Sequence, residues 1–189
     1  NETRTYTLRV TRPQDPPPEI VPDVPVIPDV QLPDGVFLVD DYQITGRFLI
    51  NAWPDDGRNI AKRIKEAFVF PADMSIEITQ RNDEPVTNDM ALGTGAKIRI
   101  YKPGVSEPVV FLELVIFGDG CGDGWINSND YYAVFDFMYR GKERSEAELM
   151  AMDAVPDGFI NSNDYYAVFD HMYRGRIIPQ TRSSSPGGS

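Results

Sequence analysis

The chain has 189 residues, 41% of them hydrophobic and 25% charged, which is ordinary for a globular protein. Its formal net charge of −11 argues against nucleic acid or an anionic membrane surface as a partner, because both require clustered Lys and Arg. The single cysteine, Cys121, excludes an internal disulfide, and no stretch reaches the roughly 18 apolar residues of a membrane-spanning helix.

Residues 1–35 predict the end of one domain followed by a spacer. Residues 6–11 alternate in β-prone side chains, so residues 1–12 are expected to close a preceding β-domain. The chain begins at Asn1 without a signal peptide, so we also expect it to be a piece of a longer protein. Residues 13–35 hold eight of the 16 prolines and are predicted to form a semi-rigid linker.

Residues 36–117 are predicted to form a small β-rich α+β module. Strands are expected at 36–39 and 48–50, followed by an amphipathic helix from about 58 to 68 that Asp56 would cap. The module holds no cluster of His, Cys, Ser or carboxylate side chains, so we expect no catalytic site and interpret it as a packed supporting module. Three further strands are expected at residues 75–79, 96–101 and 109–117.

The strongest feature of the sequence is an internal duplication. Residues 126–141 recur at residues 160–175, and over these 16 positions one residue changes, from Phe137 in the first copy to His171 in the second. A loop rich in Asp and Gly precedes each copy, and the copy itself has the apolar spacing of an amphipathic helix. The sequence therefore predicts a pair of loop–helix repeats.

Each loop places oxygen-bearing residues at the spacing of the twelve-residue calcium loop. Aspartates stand at positions 1, 5 and 12, a glycine at position 6 allows a sharp turn, and an asparagine stands at position 9. Position 7 contributes its backbone carbonyl, so a bulky side chain is tolerated there. We therefore predict two Ca²⁺ sites. Their predicted ligands are Asp119, Asp123, Trp125, Asn127 and Asp130 in the first loop, and Asp153, Asp157, Phe159, Asn161 and Asp164 in the second.

Position 3 departs from this pattern in both copies. It normally carries Asn or Asp, but it is Cys121 in the first loop and Val155 in the second. A thiol is a poor calcium ligand and valine has no side-chain oxygen, so water would replace them and binding would weaken. Pro156 also stiffens the second loop, where we expect calcium to bind less well. The alternatives are loops shaped by hydrogen bonds alone, or a soft-metal or redox role for the lone thiol.

The sequence also predicts how the repeats pack. Ser145 and Glu148 form a capping box for a short helix that enters the second loop, whereas the first loop follows a strand directly. In each copy Tyr, Val, Phe and Met recur at i, i+3, i+4 and i+7, and this stripe is expected to pack the two copies together. The isoleucines at position 8, Ile126 and Ile160, are expected to join the loops through a short β-bridge.

The duplicated loop and exit helix, with Asp at position 12 and Asn at position 9, resemble a dockerin, the calcium-dependent module that attaches secreted bacterial enzymes to cohesin domains. The resemblance covers residues 118–176. Through residues 42–46, 93–98 and 114–119, the preceding module looks like the small β-rich module that often runs into a dockerin. The implied fold class is α+β: a β-rich module with one helix, then an α-helical pair of EF-hand-like repeats. Residues 177–189 would form a flexible tail.

The resemblance implies binding to a cohesin-type partner through loop positions 10 and 11 and the exposed face of each exit helix. Two near-identical faces further predict that the partner docks in two orientations, and the implied location is extracellular, on a secreted or cell-surface bacterial protein of a polysaccharide-degrading assembly. Dockerins often carry Lys or Arg midway along this helix, whereas this chain has Phe-Asp, so its specificity would be unusual. The residues carried over are Ser128, Asn129, Tyr132, Asp136, Phe137, Tyr139, Arg140, Ser162, Asn163, Tyr166, Asp170, His171, Tyr173 and Arg174.

Other functions stay open. A calcium-stabilised structural module of a large bacterial surface protein, with no cohesin partner, would use the same loops, and the missing position 3 ligands favour it. Asp136 and Asp170 could suggest a pair of catalytic carboxylates, but the duplication explains them and we expect no enzyme within this chain. Carbohydrate binding by residues 36–117 is conceivable, although Trp53 is the single tryptophan there.

Overall fold

The computed structural model describes residues 30–182. The strand predicted at 6–11 and most of the proline-rich linker lie outside the described residues. In the described part of the chain no helix is long and apolar enough to cross a membrane.

The first half of the described chain builds one five-stranded mixed sheet and one two-stranded antiparallel sheet. Five strands lie in the order β2-β3-β7-β6-β5, and every pairing is antiparallel except β3 with β7, which is parallel. A separate two-stranded sheet pairs β1 with β4. The expected strands are thus present, the last of them shorter than predicted. The strands are β1 Phe37–Leu38, β2 Gln43–Thr45, β3 Phe48–Ile50, β4 Phe68–Val69, β5 Ser75–Thr79, β6 Lys97–Tyr101 and β7 Val110–Leu114.

The first helix, α1, spans Ala61–Ala67 and is shorter than predicted. The predicted cap was wrong, because Ile60 occupies the N-cap position and no side chain caps the helix. Asp56 instead accepts hydrogen bonds from the backbone N–H of Arg58, at 3.1 Å, and from its Nε, at 2.8 Å. The residues before the helix are folded into turns, with the N–H of Gly57 bonded to the carbonyl of Pro54, so the helix starts too late for Asp56 to reach it.

Three helices follow the sheet: α2 Ser128–Arg140, α3 Glu146–Met152 and α4 Ser162–Arg174. The predicted capping box is confirmed at α3, where Ser145 Oγ accepts from the N–H of Glu148 at 3.2 Å. Equivalent boxes start α2 and α4, and their N-cap residues have almost the same backbone angles, φ −146° and ψ −167° or −168°. Together with the sheet, these helices confirm the α+β fold class.

The aromatic stripe packs α2 against α4, as predicted. The rings of Tyr131 and Tyr165 lie with centroids 3.9 Å apart, and those of Tyr131 and Phe169 lie 6.1 Å apart. The expected β-bridge was wrong, because Ile126 forms no bridge and no backbone hydrogen bond joins it to Ile160. Ile126 instead packs against the sheet, since the first loop is held by the β-rich module.

The hydrophobic core is continuous between the sheet and the repeats. One cluster fills the space between α1 and the sheet. A second cluster joins the opposite side of the sheet to α3, α4 and the C-terminal segment. Its buried members are Phe48, Ile50, Val115, Phe117, Ala147, Ala151, Ala154, Val168 and Ile178.

Residues 177–182, the described part of the predicted flexible tail, are packed instead. Ile178 is 3% exposed and joins the second core cluster. The side-chain amide of Gln180 accepts from the N–H of Phe117 at 2.9 Å and donates to its carbonyl at 2.7 Å. The segment is therefore held by the apolar side chain of Ile178 and the paired amide of Gln180.

Candidate metal centre

The first loop, residues 119–130, gathers four side chains that could hold a metal ion. One ligand atom from each of Asp119, Cys121, Asp123 and Asp130 lies within 4.8 Å of all the others. Asp119 and Asp130 are fully buried, whereas Asp123 is exposed. Three carboxylates around one point form a donor set that suits a hard divalent cation.

The carboxylate of Asp119, at position 1 of the loop, accepts hydrogen bonds that shape the loop. Asp119 Oδ1 accepts hydrogen bonds from the backbone N–H groups of Gly122, at 2.8 Å, and Asp123, at 3.0 Å. Its Oδ2 accepts from the N–H of Gly124 at 3.1 Å. The loop therefore wraps around this carboxylate, and the predicted sharp turn is present at Gly124, where φ is +86°.

Position 12 closes the loop and starts α2. Asp130 Oδ2 accepts from the N–H of Asn127 at 2.8 Å, and its Oδ1 accepts from the N–H of Cys121 at 3.0 Å. One carboxylate thus caps the helix and holds position 3 of the loop. Its negative charge at a helix N-terminus is also favourable in itself.

Asp123 and the asparagines complete the exposed side of the loop. The Asn127 side-chain amide donates to Asp123 Oδ2 at 3.0 Å, and the Asn129 amide donates to the same oxygen at 3.2 Å. Asn127, a predicted ligand, therefore lies beside the cluster. The Trp125 side chain is 56% exposed and lies on the outside of the loop, as expected for a residue that would contribute its backbone carbonyl.

The β-rich module holds the first loop through side chains that the sequence did not point to. The N–H of Thr94 donates to Asp119 Oδ2 at 2.8 Å, and the buried Asn59 amide donates to the Gly124 carbonyl at 3.0 Å. Arg81 donates to the Cys121 carbonyl at 2.7 Å. Gly93 touches the loop so closely that an added Cβ would lie 2.2 Å from the Gly122 carbonyl oxygen. The glycines around Thr94 were the one available signal for this close approach.

The electrostatics of the first loop favour a bound cation. Burial raises the pKa of Asp119 from 3.8 to about 6, although hydrogen bonds from Thr94 and Gly124 lower it. Burial, and then the charge of Asp119, raises the pKa of Asp130 to about 7. Burial also raises the pKa of Asp123, but hydrogen bonds from Asn127 and Asn129 outweigh it and the net shift is downward. At neutral pH the loop therefore concentrates negative charge in a poorly solvated place, which a cation would relieve.

In the second loop, residues 153–164, the position 12 aspartate accepts the same pair of backbone hydrogen bonds as in the first loop, but the group of metal-ligating side chains is not repeated. Asp164 Oδ1 accepts from the N–H of Val155 at 2.8 Å and its Oδ2 from the N–H of Asn161 at 2.9 Å, which matches Asp130. Burial raises the pKa of Asp164 to about 7. Within residues 30–182, however, the three aspartates of this loop do not form a second group of metal-ligating side chains like that of the first.

Arg182 lies against the second loop, a contact that no motif in the sequence predicts. Its Nη2 lies 3.6 Å from Asp153 Oδ2 and donates a hydrogen bond to the Asp153 carbonyl. The guanidinium also lies over the Phe117 ring, 3.6 Å from its centroid. Burial raises the pKa of Asp153, and the charge of Arg182 opposes this. Within residues 30–182, no backbone N–H of the β-rich module donates to Asp153 as that of Thr94 donates to Asp119, and a Cβ added at the turn glycine, Gly158, would meet open space.

The predicted partner-contacting side chains form a similar surface on each repeat. Four of the six tyrosines on α2 and α4 are exposed: Tyr132 at 61%, Tyr139 at 53%, Tyr166 at 60% and Tyr173 at 68%. Ser128, Asn129, Asn163, Arg140 and Arg174 are exposed as well, and Ser162 is half-buried.

The two surfaces differ at the one residue that changed between the copies. Phe137 is half-buried against a small cluster that includes Met152 and Ile160. His171 meets Trp53 edge-on with centroids 6.0 Å apart, and its Nδ1 lies 2.9 Å from the Arg176 carbonyl. Both side chains therefore face the body of the protein more than the solvent.

No family model matches this sequence, and no curated protein or solved structure matches it.

Proposed function

We propose that the chain is a calcium-dependent docking module that binds a cohesin-type domain and anchors a secreted bacterial protein to an extracellular polysaccharide-degrading or cell-surface assembly. The observation that carries this proposal is the first loop, where three carboxylates at calcium-loop spacing converge directly before a helix that presents exposed aromatic residues. The duplication of that loop and helix supports the resemblance to dockerins described above.

Calcium fits the first loop better than a softer metal does. The three aspartates and the backbone carbonyl at position 7 are oxygen donors, which hard cations prefer. Zinc sites use several Cys or His ligands, whereas this cluster holds one thiol and three carboxylates, so its donor set favours calcium.

The two helix faces have the chemistry of a protein-binding surface. In each copy an arginine pairs with the aspartate four residues before it, Arg140 with Asp136 at 2.8 Å and Arg174 with Asp170 at 2.7 Å. These pairs lie among the exposed tyrosines, and Tyr and Arg are enriched among the residues that contribute most to protein–protein binding. A groove of 410 Å³ beside α4 is lined by Asn163 and Tyr166 together with Ile177 and Pro179, and it would accept an apolar side chain of the partner.

A second candidate function is a structural brace without a docking partner. Its supporting observation is the contact between the first loop and the β-rich module, where Thr94 donates to Asp119 and Asn59 donates to the Gly124 carbonyl. In that case calcium would stiffen the join between the module and the repeats, and the exposed tyrosines would serve no partner.

The two candidates are separated by a binding experiment with a matched control. The full chain is passed over immobilised cohesin-type domains in CaCl₂ and in EGTA. The chain is expected to be retained in CaCl₂ and to pass through in EGTA. Tyr132→Ser combined with Tyr166→Ser is expected to lower affinity at least tenfold without changing calcium binding. Phe37→Ser, which removes a side chain of matched exposure on the β-rich module, 62% against 61% and 60%, is expected to leave affinity unchanged. Calcium binding without retention on any cohesin would favour the brace.

A further inference from the structure

The second loop already contains a positive charge. The Arg182 side chain is 13% exposed, and Asp153, its ion-pair partner, is 18% exposed. The Nη2 atom contacts both the carboxylate and the backbone carbonyl of Asp153. One guanidinium thus takes the side-chain and main-chain oxygens of position 1, the residue from which the calcium loop begins.

The guanidinium is held in place by the surrounding structure and is not a mobile surface charge. It lies over the Phe117 ring at 3.6 Å, and a cation on a desolvated aromatic face is attracted by the ring quadrupole. Two residues earlier, the Gln180 amide is bonded to both the N–H and the carbonyl of Phe117. Ile178 is buried beneath the same segment. These contacts fix the backbone from which the arginine extends.

In the described part of the chain, no Lys or Arg forms an ion pair with the aspartates of the first loop. Asp119, which corresponds to Asp153, is surrounded by backbone N–H groups of its own loop and by Thr94. The nearest arginine, Arg81, bonds to the Cys121 carbonyl and to Glu148, and it makes no ion pair with the loop aspartates. The two copies of one sequence therefore meet different surroundings at the same position.

We propose that Arg182 is the built-in cation of the second loop, so that the chain binds one divalent ion, at the first loop, and closes the second loop with its own guanidinium. This inference rests on the proposed calcium chemistry of the loops. A guanidinium has only donors, so it neutralises Asp153 but leaves no room for a second cation on the same oxygens. A calcium ion there would have to displace the arginine and the segment that carries it.

The test is the stoichiometry of CaCl₂ binding to the full chain by isothermal titration calorimetry. The wild-type protein is expected to bind one ion, and Arg182→Gln two. Arg182→Lys keeps a positive charge and is expected to bind one. Arg176→Gln is the matched control, since Arg176 lies in the same segment but pairs with Asp170 on the surface, and it is also expected to bind one.

Asp130→Asn locates the wild-type ion without relying on any Arg182 variant. It is expected to abolish binding in the wild-type background and to leave one ion in the Arg182→Gln background. Two ions bound to the wild-type protein would overturn the proposal. So would one ion that remains bound to the Asp130→Asn single variant, or a folded Arg182→Gln protein that binds one ion. A wild type that binds none, with one ion gained in Arg182→Gln, would refute the calcium site of the first loop and support the role of Arg182. No ion in either protein would refute both.

Discussion

The buried aspartates make a specific prediction about pH. Asp130 is fully buried and its pKa rises from 3.8 to about 7 in the folded chain, a shift of roughly three units. Each unit corresponds to about 1.4 kcal/mol, so ionising this carboxyl in the folded, calcium-free protein costs on the order of 4 kcal/mol. Asp119 shares the loop and titrates together with it, so the two costs are not additive.

The sign of the effect follows from the direction of the shift. Between about pH 4 and pH 7 the folded state binds more protons than the unfolded state does, so the free energy of unfolding falls as the pH rises. The stabilisation is complete below about pH 4 and is lost as the pH passes through about 7. Since small domains are stable by only about 5–15 kcal/mol, the calcium-free chain is expected to be close to unfolding at pH 8.

The assay is urea unfolding of the full chain in EGTA at pH 5 and pH 8, followed by circular dichroism. The protein is expected to be more stable at pH 5 by several kcal/mol, and Asp130→Asn is expected to reduce this difference. Asp73→Asn, which removes an exposed carboxyl, is the matched control and should leave the difference unchanged. Equal stability at the two pH values, or greater stability at pH 8, would show that the loop carboxylates are not held in a costly charged state.

Three further predictions follow from the same site. Calcium at about one hundred times its Kd is expected to raise the free energy of unfolding at pH 8 by about 2.7 kcal/mol, measured by urea unfolding. This stabilisation should be smaller at pH 5, because protons compete with calcium for the carboxylates. A stabilisation by calcium that increases on acidification would contradict this. Gly93→Ala places a Cβ 2.2 Å from the Gly122 carbonyl oxygen, a backbone atom, and is expected to cost about 3 kcal/mol. Gly120→Ala places a Cβ 2.8 Å from the Cγ atom of Met152, a side-chain contact, and is expected to cost less. Equal losses of stability in urea unfolding would argue against the close backbone contact at Gly93. Cys121→Ser replaces a thiol with an oxygen donor and is expected to tighten calcium binding severalfold by calorimetry; loss of binding would mean that the thiol is a ligand.

Features that depend on neighbouring residues could be predicted from the sequence. The predicted capping box of α3 joins residues three apart, and the apolar period of each exit helix is likewise a local property. The aspartate spacing of the first loop likewise predicted which three carboxylates would converge. The cap at Asp56 failed because the turns before α1 shift its start, and turn geometry is poorly determined by residue type alone.

Contacts between distant parts of the chain could not be predicted. Asn59 reaches the Gly124 carbonyl across 65 positions of sequence, and Gln180 reaches Phe117 across 63. Neither residue belongs to a motif, and each acts through one amide whose partner is a main-chain group, which carries no sequence signal. Arg182 lies in the predicted flexible tail, and its partners Asp153 and Phe117 are 29 or more residues away in the sequence. The difference between the two loops is therefore a tertiary property, although the loops themselves are a local one.

The N-cap geometry shared by Asn127 and Asn161 has an evolutionary consequence. Because each cap is bonded within its own copy, the segment can be duplicated into a new position and still fold. Divergence is then free to act on the neighbours of each copy, while the helix itself stays nearly unchanged. The one internal substitution lies where those neighbours differ, since Phe137 packs in a small apolar cluster and His171 meets Trp53. Two nearly identical segments of sequence therefore lie in different environments, which the residues around each copy determine.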